Sequence, residues 1–437
     1  MFENILVLLK IIFILSYSYI TNVLIYNDVK LHTLYCIEKI SKVNMFFIKL
    51  LQWIVNEDNN EEIKNICKNF GNNVYYHESE KRLDNLLLVK EYLHNKNINI
   101  SINENPINSG TIALVFDGYY DGKHVIIKQL RPNIREKLIK SIELMLFIGY
   151  IFSYFQSSQS LQIYEIIKNN KDNLLTQLDF KQEVNNILEF SEKNKNNEKI
   201  NIPYVYSYIT DKFNDIIVME YIEGKNIYDL NLEESNSYIK PYNQLLMYSL
   251  LENQIFHADL HSGNIIFMKN KKIGVIDFGY VIRFEKQTSK KLFIFYKLIY
   301  NRQLKKLAKF VIEDLCEDIS SNNNSHEIER KTLYEEMHIV FSSRTAFNGK
   351  RPIELNDFVF VNNILKKINK KVSKEFMNLA LALGPCCSLV SIIKKSEFEN
   401  SFKLLFFDYI RDNIPKNLKD YDEKNANEIK KIKIKFN

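Results

Sequence analysis

The segments His257-Ala258-Asp259-Leu260-His261-Ser262-Gly263-Asn264 and Asp277-Phe278-Gly279 carry the residue types that phosphoryl transfer needs. That chemistry asks little covalent help of a protein. It needs one carboxylate beside the attacking group, then an amide and a second carboxylate to hold the cations that offset phosphate charge. Asp259, Asn264 and Asp277 supply these groups in that order. Taken singly, each is ordinary. An Asp close to a Gly is usually a turn, and a lone His such as His257 is more often a buried, hydrogen-bonded core residue than a catalyst. His261, Ser262 and Gly263 read as loop-shaping residues. The signal lies in the conjunction of H-x-D, an Asn five positions after the Asp, a strand, and then D-F-G.

Several elements must position these groups. The apolar run Ile273 to Ile276, interrupted only by Gly274, reads as the strand that delivers Asp277. Upstream, Thr111 to Phe116, a turn at Asp121-Gly122, and His124 to Lys128 form a β-hairpin pattern. Lys128 would end that hairpin, where a kinase lysine reaches the α- and β-phosphates. Glu183, on a predicted helix, is its candidate ion-pair partner. Helical patterning then runs to about residue 195, Ile216 to Tyr221 reads as a strand entering a Gly224 turn, and the chain from Asp229 on is almost wholly helical. The fold class expected is α+β and bilobal, protein-kinase-like. Residues 1–100 would form a helical extension, 101–225 an N-lobe with a small β-sheet, and 226–437 a large, mainly helical C-lobe carrying both loops.

The length of 437 residues suits two lobes with an extension rather than one minimal domain. A net charge of +6, from 59 basic against 53 acidic residues, is thin and spread along the chain; it does not argue for nucleic acid, and no nucleic-acid partner is expected. The five cysteines form no C-x-x-C pair, so a reducing compartment and no structural zinc are the default. Ile5 to Tyr26 is apolar and aromatic, with Lys10 inside it. A lysine at mid-bilayer costs about 2.5–3.5 kcal/mol on insertion scales. Both a packed extension helix and an anchor or interfacial helix stay open. The segment makes a poor secretory signal, because the leader opens with Glu3, so secretion is not expected. A second apolar run, Phe376 to Ile393, reads as a buried core helix broken by Gly384-Pro385.

With these residues in place the chain resembles the UbiB/ADCK (AarF-domain) family of atypical protein-kinase-like proteins. Pro106 to Ala113 stands where that family has its alanine-rich nucleotide loop, and Val125-Ile126-Ile127-Lys128 with Arg131-Pro132 resembles its V-A-V-K…R-P pattern. Leu178-Asp179-Phe180, Glu183, Asn186 and Phe190 follow L-D-F-x-x-E-x-x-N, while Met219 to Gly224 is similar to its hinge. The loop at His257 resembles the family's H-A-D-x-H-x-G-N more closely than H-R-D. Three departures stand out. Lys49-Leu50-Leu51-Gln52 carries Leu in place of the Gly of K-x-G-Q, Gln177-Leu178-Asp179 lacks one carboxylate of E-x-D, and Gly110 replaces an alanine of the nucleotide loop.

The resemblance implies an ATP-dependent kinase or ATPase. Mg²⁺ would be held by Asn264 and Asp277, and Lys128 would lie on the phosphates with Glu183 orienting it. Asp259 would act on the acceptor hydroxyl or on a water. Ser109, Gly110 and Thr111 would meet the phosphates, with Glu220 and Tyr221 at the hinge; Lys49, Gln52 and Asp179 are the residues of the eroded motifs. Expected partners are a nucleotide and an anionic membrane or isoprenoid lipid, in ubiquinone-linked metabolism. Two alternatives stay open: a small-molecule phosphotransferase of the aminoglycoside or choline kinase type, and a nucleotide-binding scaffold without turnover. Activity as an ordinary protein kinase is not expected, since no A-P-E segment follows Asp277-Phe278-Gly279.

Overall fold

The computed structural model describes residues 2–43, 74–153, 171, 175–319 and 330–394. The chain is mixed α+β, mainly helical with small sheets, nearly all antiparallel. Its described residues form two compact units, one within Met1–Asn185 and Tyr204–Tyr221, the other within Asn186–Pro203 and Ile222–Asn437.

The chain begins with α1 (Phe2–Ser18), which runs on as a π-helix over Tyr19–Ile25, then α2 (Val29–Val43) and α3 (Leu83–His94). Strands β1 (Ile100–Ile102), β2 (Asn108–Ser109), β3 (Ala113–Tyr120) and β4 (Lys123–Leu130) lead to α4 (Ile134–Ser153) and α5 (Phe180–Asn194). Next come β5 (Ile200–Asn201), β6 (Ile216–Glu220), β7 (Ile255–His257), β8 (Ile265–Met268), β9 (Lys272–Val275) and β10 (Val281–Arg283). Helices dominate from there to Lys394.

In the first unit the sheet order is β1-β3-β4-β6, with β2 added to β3. The β3–β4 turn forms because Asp121 and Gly122 both take positive φ (46° and 77°), the demand of a two-residue hairpin, which Asp-Gly meets at little cost. Leu114, Phe116, Val125, Ile127, Ile216 and Val218 bury one face of the sheet against Leu86, Val89 and Leu93 of α3. Strand parity therefore turns Lys128 to the opposite face. Lys128 does not end its strand, as the sequence pattern suggested. β4 continues to Leu130 and is paired on both sides, with Val115 and Ile217 opposite Lys128, so the lysine rises from the middle of the sheet. A second apolar cluster joins Ile11 of α1 to Ile134, Leu138, Ile142 and Met145 of α4.

In the second unit β8 and β9 form the expected hairpin, with β5 parallel to β9. Gly274 has a packing reason, since a Cβ there would come within 2.7 Å of Ile222. The apolar run near the C-terminus departs from its expected form. A single helix, Lys374–Lys394, passes through Gly384-Pro385 without a break. Phe376, Leu379, Leu383, Cys386 and Leu389 are all buried, and that packing outweighs the one backbone hydrogen bond the proline cannot donate.

Candidate active site

The first unit supplies a buried ion pair. Lys128 Nζ lies 2.7 Å from Glu183 Oε1, with side chains 11% and 5% exposed. The sequence around Glu183 explains its placement. Leu178 and Phe180 are buried and seat the start of α5, and Asp179 Oδ1 accepts the Gln182 N–H at 3.0 Å, capping the helix. Asp179 is thus committed to a helix cap, and Glu183 falls in the first turn, where the helix dipole favours a carboxylate.

The nucleotide-loop candidates Ser109 and Thr111 are buried. Ser109 Oγ donates to the Val74 carbonyl and accepts from Arg131 Nη2 at 2.7 Å. The Gly110 N–H closes the turn to the Ala113 carbonyl at 3.0 Å, so a phosphate would have to displace that bond. Arg131, of the R-P pair, is a fully buried hub. It holds Glu80 at 2.7 Å along with the carbonyls of Val74 and Tyr75. Burial lowers its pKa, while the Glu80 carboxylate works to raise it. At the expected hinge, the Glu220 N–H pairs with Tyr204 O and the Tyr221 N–H with His124 O, and the Tyr221 ring stacks on His124 at 4.0 Å. Lys49 and Gln52 lie outside the described residues.

The second unit joins Asp259 and Asp277 through one imidazole and ties Asn264 to Asp259. His257 is buried; its Nδ1 accepts the Asp259 N–H at 3.2 Å, and its Nε2 donates to the Asp277 carbonyl. Burial drives its pKa down, against the pull of the Asp259 and Asp277 carboxylates, which fits the neutral tautomer those two bonds require. The Asn264 amide donates to the Asp259 carbonyl at 2.9 Å, committing its nitrogen and leaving its oxygen as the end suited to a cation. The hairpin register extends to Ile276, whose N–H donates to the Asn264 carbonyl at 3.0 Å, tying the two loops at the base of β8 and β9.

Asp277 itself is left-handed, with φ +68°, and its Oδ1 accepts the Gly279 N–H at 3.2 Å. The Phe278 ring is buried against Phe190 and His257. Asp259 is 41% exposed, with His261 Nε2 3.9 Å from its Oδ2. His261 Nδ1 accepts the Gly263 N–H, which leaves the Nε2 proton on the side of Asp259. Sequence reasoning left His257 and His261 without chemistry and missed the role of Asn186, which donates to the Phe278 carbonyl at 2.7 Å. Its place three residues after Glu183, as the N of L-D-F-x-x-E-x-x-N, was the available signal.

Among the described residues no trio of His, Cys, Asp and Glu is placed to hold a metal. The Asn264–Asp277 donor set has a different character. Magnesium keeps several waters and takes one or two carboxylates plus substrate phosphates, and an amide oxygen with one carboxylate fits that habit.

Comparison with known proteins agrees with these motifs. Residues 81–311, more than half of the chain, match the model of the ABC1 atypical kinase-like domain. The chain is similar to a chloroplastic aarF domain-containing protein kinase of Arabidopsis thaliana, 26% identical over 254 residues, covering 55% of this chain and 45% of that one. It is also similar to a probable protein kinase UbiB of Haemophilus ducreyi, 25% identical over 297 residues, covering 64% of this chain and 53% of that one. The chain thus spans about half the length of these curated relatives. A solved Mycobacterium tuberculosis protein in complex with erythromycin aligns over 70% of this chain and 77% of its own, at 16% identity and a TM-score of 0.43. With the family model covering the strand of Lys128, the helix of Glu183 and both loops around His257, the chain belongs to the ABC1 (AarF/UbiB) family of atypical kinase-like proteins.

Proposed function

We propose that this protein binds Mg-ATP and transfers or hydrolyses its terminal phosphoryl group. The observation that carries the reading is the His257 imidazole, which fixes the backbone of Asp259 and Asp277 together. In this reading Lys128 contacts the α- and β-phosphates, with Glu183 holding its ammonium in place. Asn264 and Asp277 hold the cation, and the hinge at Glu220 and Tyr221 faces the base. The bound cation neutralises phosphate charge. Asp259, half-exposed and fixed through its own N–H and carbonyl, orients the acceptor hydroxyl or a water and takes its proton.

The setting we propose is isoprenoid-lipid or quinone metabolism at a membrane of a reducing compartment, as the UbiB resemblance implies. Support comes from α1 and its π-helical continuation, an apolar stretch of 21 residues from Ile5 to Ile25. Ile11 and Ile14 bury inward, whereas Leu9, Phe13, Ile20 and Leu24 stand exposed. Ser18 and Asn22 turn in: the Asn22 amide donates to Ser18 Oγ at 2.9 Å, and His32 Nδ1 meets the same oxygen at 2.9 Å. One stripe is committed to the core and the other is bare and mostly apolar, with Lys10 and Ser16 exposed on it, an arrangement suited to lying in a bilayer surface where the lysine can reach the headgroups.

The test is ADP release by wild type and Asp277→Asn, with and without cardiolipin-containing liposomes. Mg²⁺-dependent release by wild type, raised by liposomes and lost in the variant, is expected. Equal release by both proteins would refute the catalytic assignment, and no effect of liposomes would refute the membrane setting.

A further inference from the structure

Two successive carbonyls of the metal-binding loop are pinned by buried side chains: that of Asp277 by His257 and that of Phe278 by Asn186. Asp277 needs such restraint. A left-handed backbone on a non-glycine residue is strained and persists only where its surroundings over-determine it. The two pins differ in kind. An imidazole bonded at both nitrogens has its orientation settled, whereas a primary amide presents donor and acceptor ends of the same shape and needs something to decide which end faces the loop.

Arg283 decides it. Its Nη2 donates to Asn186 Oδ1 at 2.8 Å, and the same guanidinium grips Glu189 Oε2, one turn further along α5, through Nε at 2.9 Å and Nη2 at 2.6 Å. Glu189 is braced in turn by Lys193 at 3.2 Å. Burial alone would raise the Glu189 carboxyl, but the hydrogen bonds from Arg283 and Lys193 hold it below the usual carboxylate range. A flipped amide would set its oxygen against the Phe278 carbonyl and its NH₂ against the guanidinium, two repulsions in place of two bonds. Arg283 ends β10, so its position is set by pairing with β7, the strand that also delivers His257.

We propose that Asn186 is a positioning residue for the divalent cation at Asp277, its amide locked in the donating orientation by Arg283 and Glu189. The proposal rests on the Mg-nucleotide reading above. Supports of this kind around a metal ligand are worth about 10–100-fold in metal affinity when removed.

Asn186→Asp keeps the shape and the bond to Arg283 but replaces the donor to Phe278 with an oxygen. Arg283→Gln, at a side chain 45% exposed, removes the lock and leaves the buried amide in place. The measurement is the Mn²⁺ or Mg²⁺ concentration at half-maximal binding of a non-hydrolysable ATP analogue, beside the analogue's affinity in EDTA. In Asn186→Asp the metal midpoint should rise about tenfold or more while the EDTA affinity holds; Arg283→Gln should show a smaller rise of the same kind. A merely structural role would lower both affinities and the melting temperature together, and that result overturns the proposal. So does an unchanged metal midpoint in either folded variant. Wild type without any metal-dependent binding would instead refute the underlying nucleotide reading.

Discussion

Glu183 and Asp259 are both acidic residues of the phosphoryl-transfer motifs, and they live in opposite surroundings. Glu183 is 5% exposed and clamped to Lys128 at 2.7 Å. Asp259 is 41% exposed, and His261 stands 3.9 Å from it. A buried pair of this kind is a fixed piece of electrostatics. Its geometry is set before any ligand arrives, and breaking it from one side is severe because a charge is left in a low-dielectric interior. An exposed carboxylate contributes little to stability, yet it keeps open space for an acceptor. Only its backbone is fixed, through His257 and Asn264. On the proposed function, the contrast separates a group that holds from a group that reacts.

The sharpest way to break the contrast is Glu183→Gln. Stability should fall by about 3–5 kcal/mol in chemical denaturation, as for other buried pairs broken from one side. A Lys128→Met, Glu183→Leu double variant should recover most of that loss while abolishing nucleotide binding, because paired apolar replacements avoid the buried charge. Asp259→Asn should do the reverse, lowering turnover by about 10²–10⁴-fold with nucleotide affinity kept within about twofold. Equal loss of binding and turnover would place Asp259 among the holding groups.

Gly110→Ala sharpens the comparison on the structural side. A Cβ there would meet only the Ala113 carbonyl, at 3.4 Å, and Gly110 is not among the positive-φ residues. Stability should rise by about 0.4–1 kcal/mol in thermal denaturation, as for Gly→Ala at a compatible backbone position. The smallest effect belongs to His261→Asn, whose Oδ1 can accept the Gly263 N–H that His261 Nδ1 accepts. An exposed contact at 3.9 Å is worth only about 0.2 kcal/mol, so its melting curve should overlay that of wild type.

Much of this was legible in the sequence where chemistry and period coincide. Asp121-Gly122 dictates its turn, β-branched alternation marks β3 and β4, and the types and spacing of His257, Asp259 and Asn264 mark the loop whose bonds the structure shows. What stayed hidden depends on contacts far apart in sequence. Asn186 closes the L-D-F-x-x-E-x-x-N pattern without a visible role until Phe278, 92 positions on, comes beside it. Arg131 reads only as half of an R-P pair until Glu80 and Ser109 enclose it. The continuous helix through Pro385 and the π-helical turn after Ser18 likewise follow from packing, which overrides local preference.

The central claim is that Asp277 holds a cation for a bound nucleotide, and a thermal shift tests it most directly. Mg-ATP at about 100 times its dissociation constant should stabilise wild type by about 2.7 kcal/mol, with most of that gain lost in EDTA and in Asp277→Asn. A wild-type shift that is absent, or that is the same in EDTA and in the variant, would contradict it.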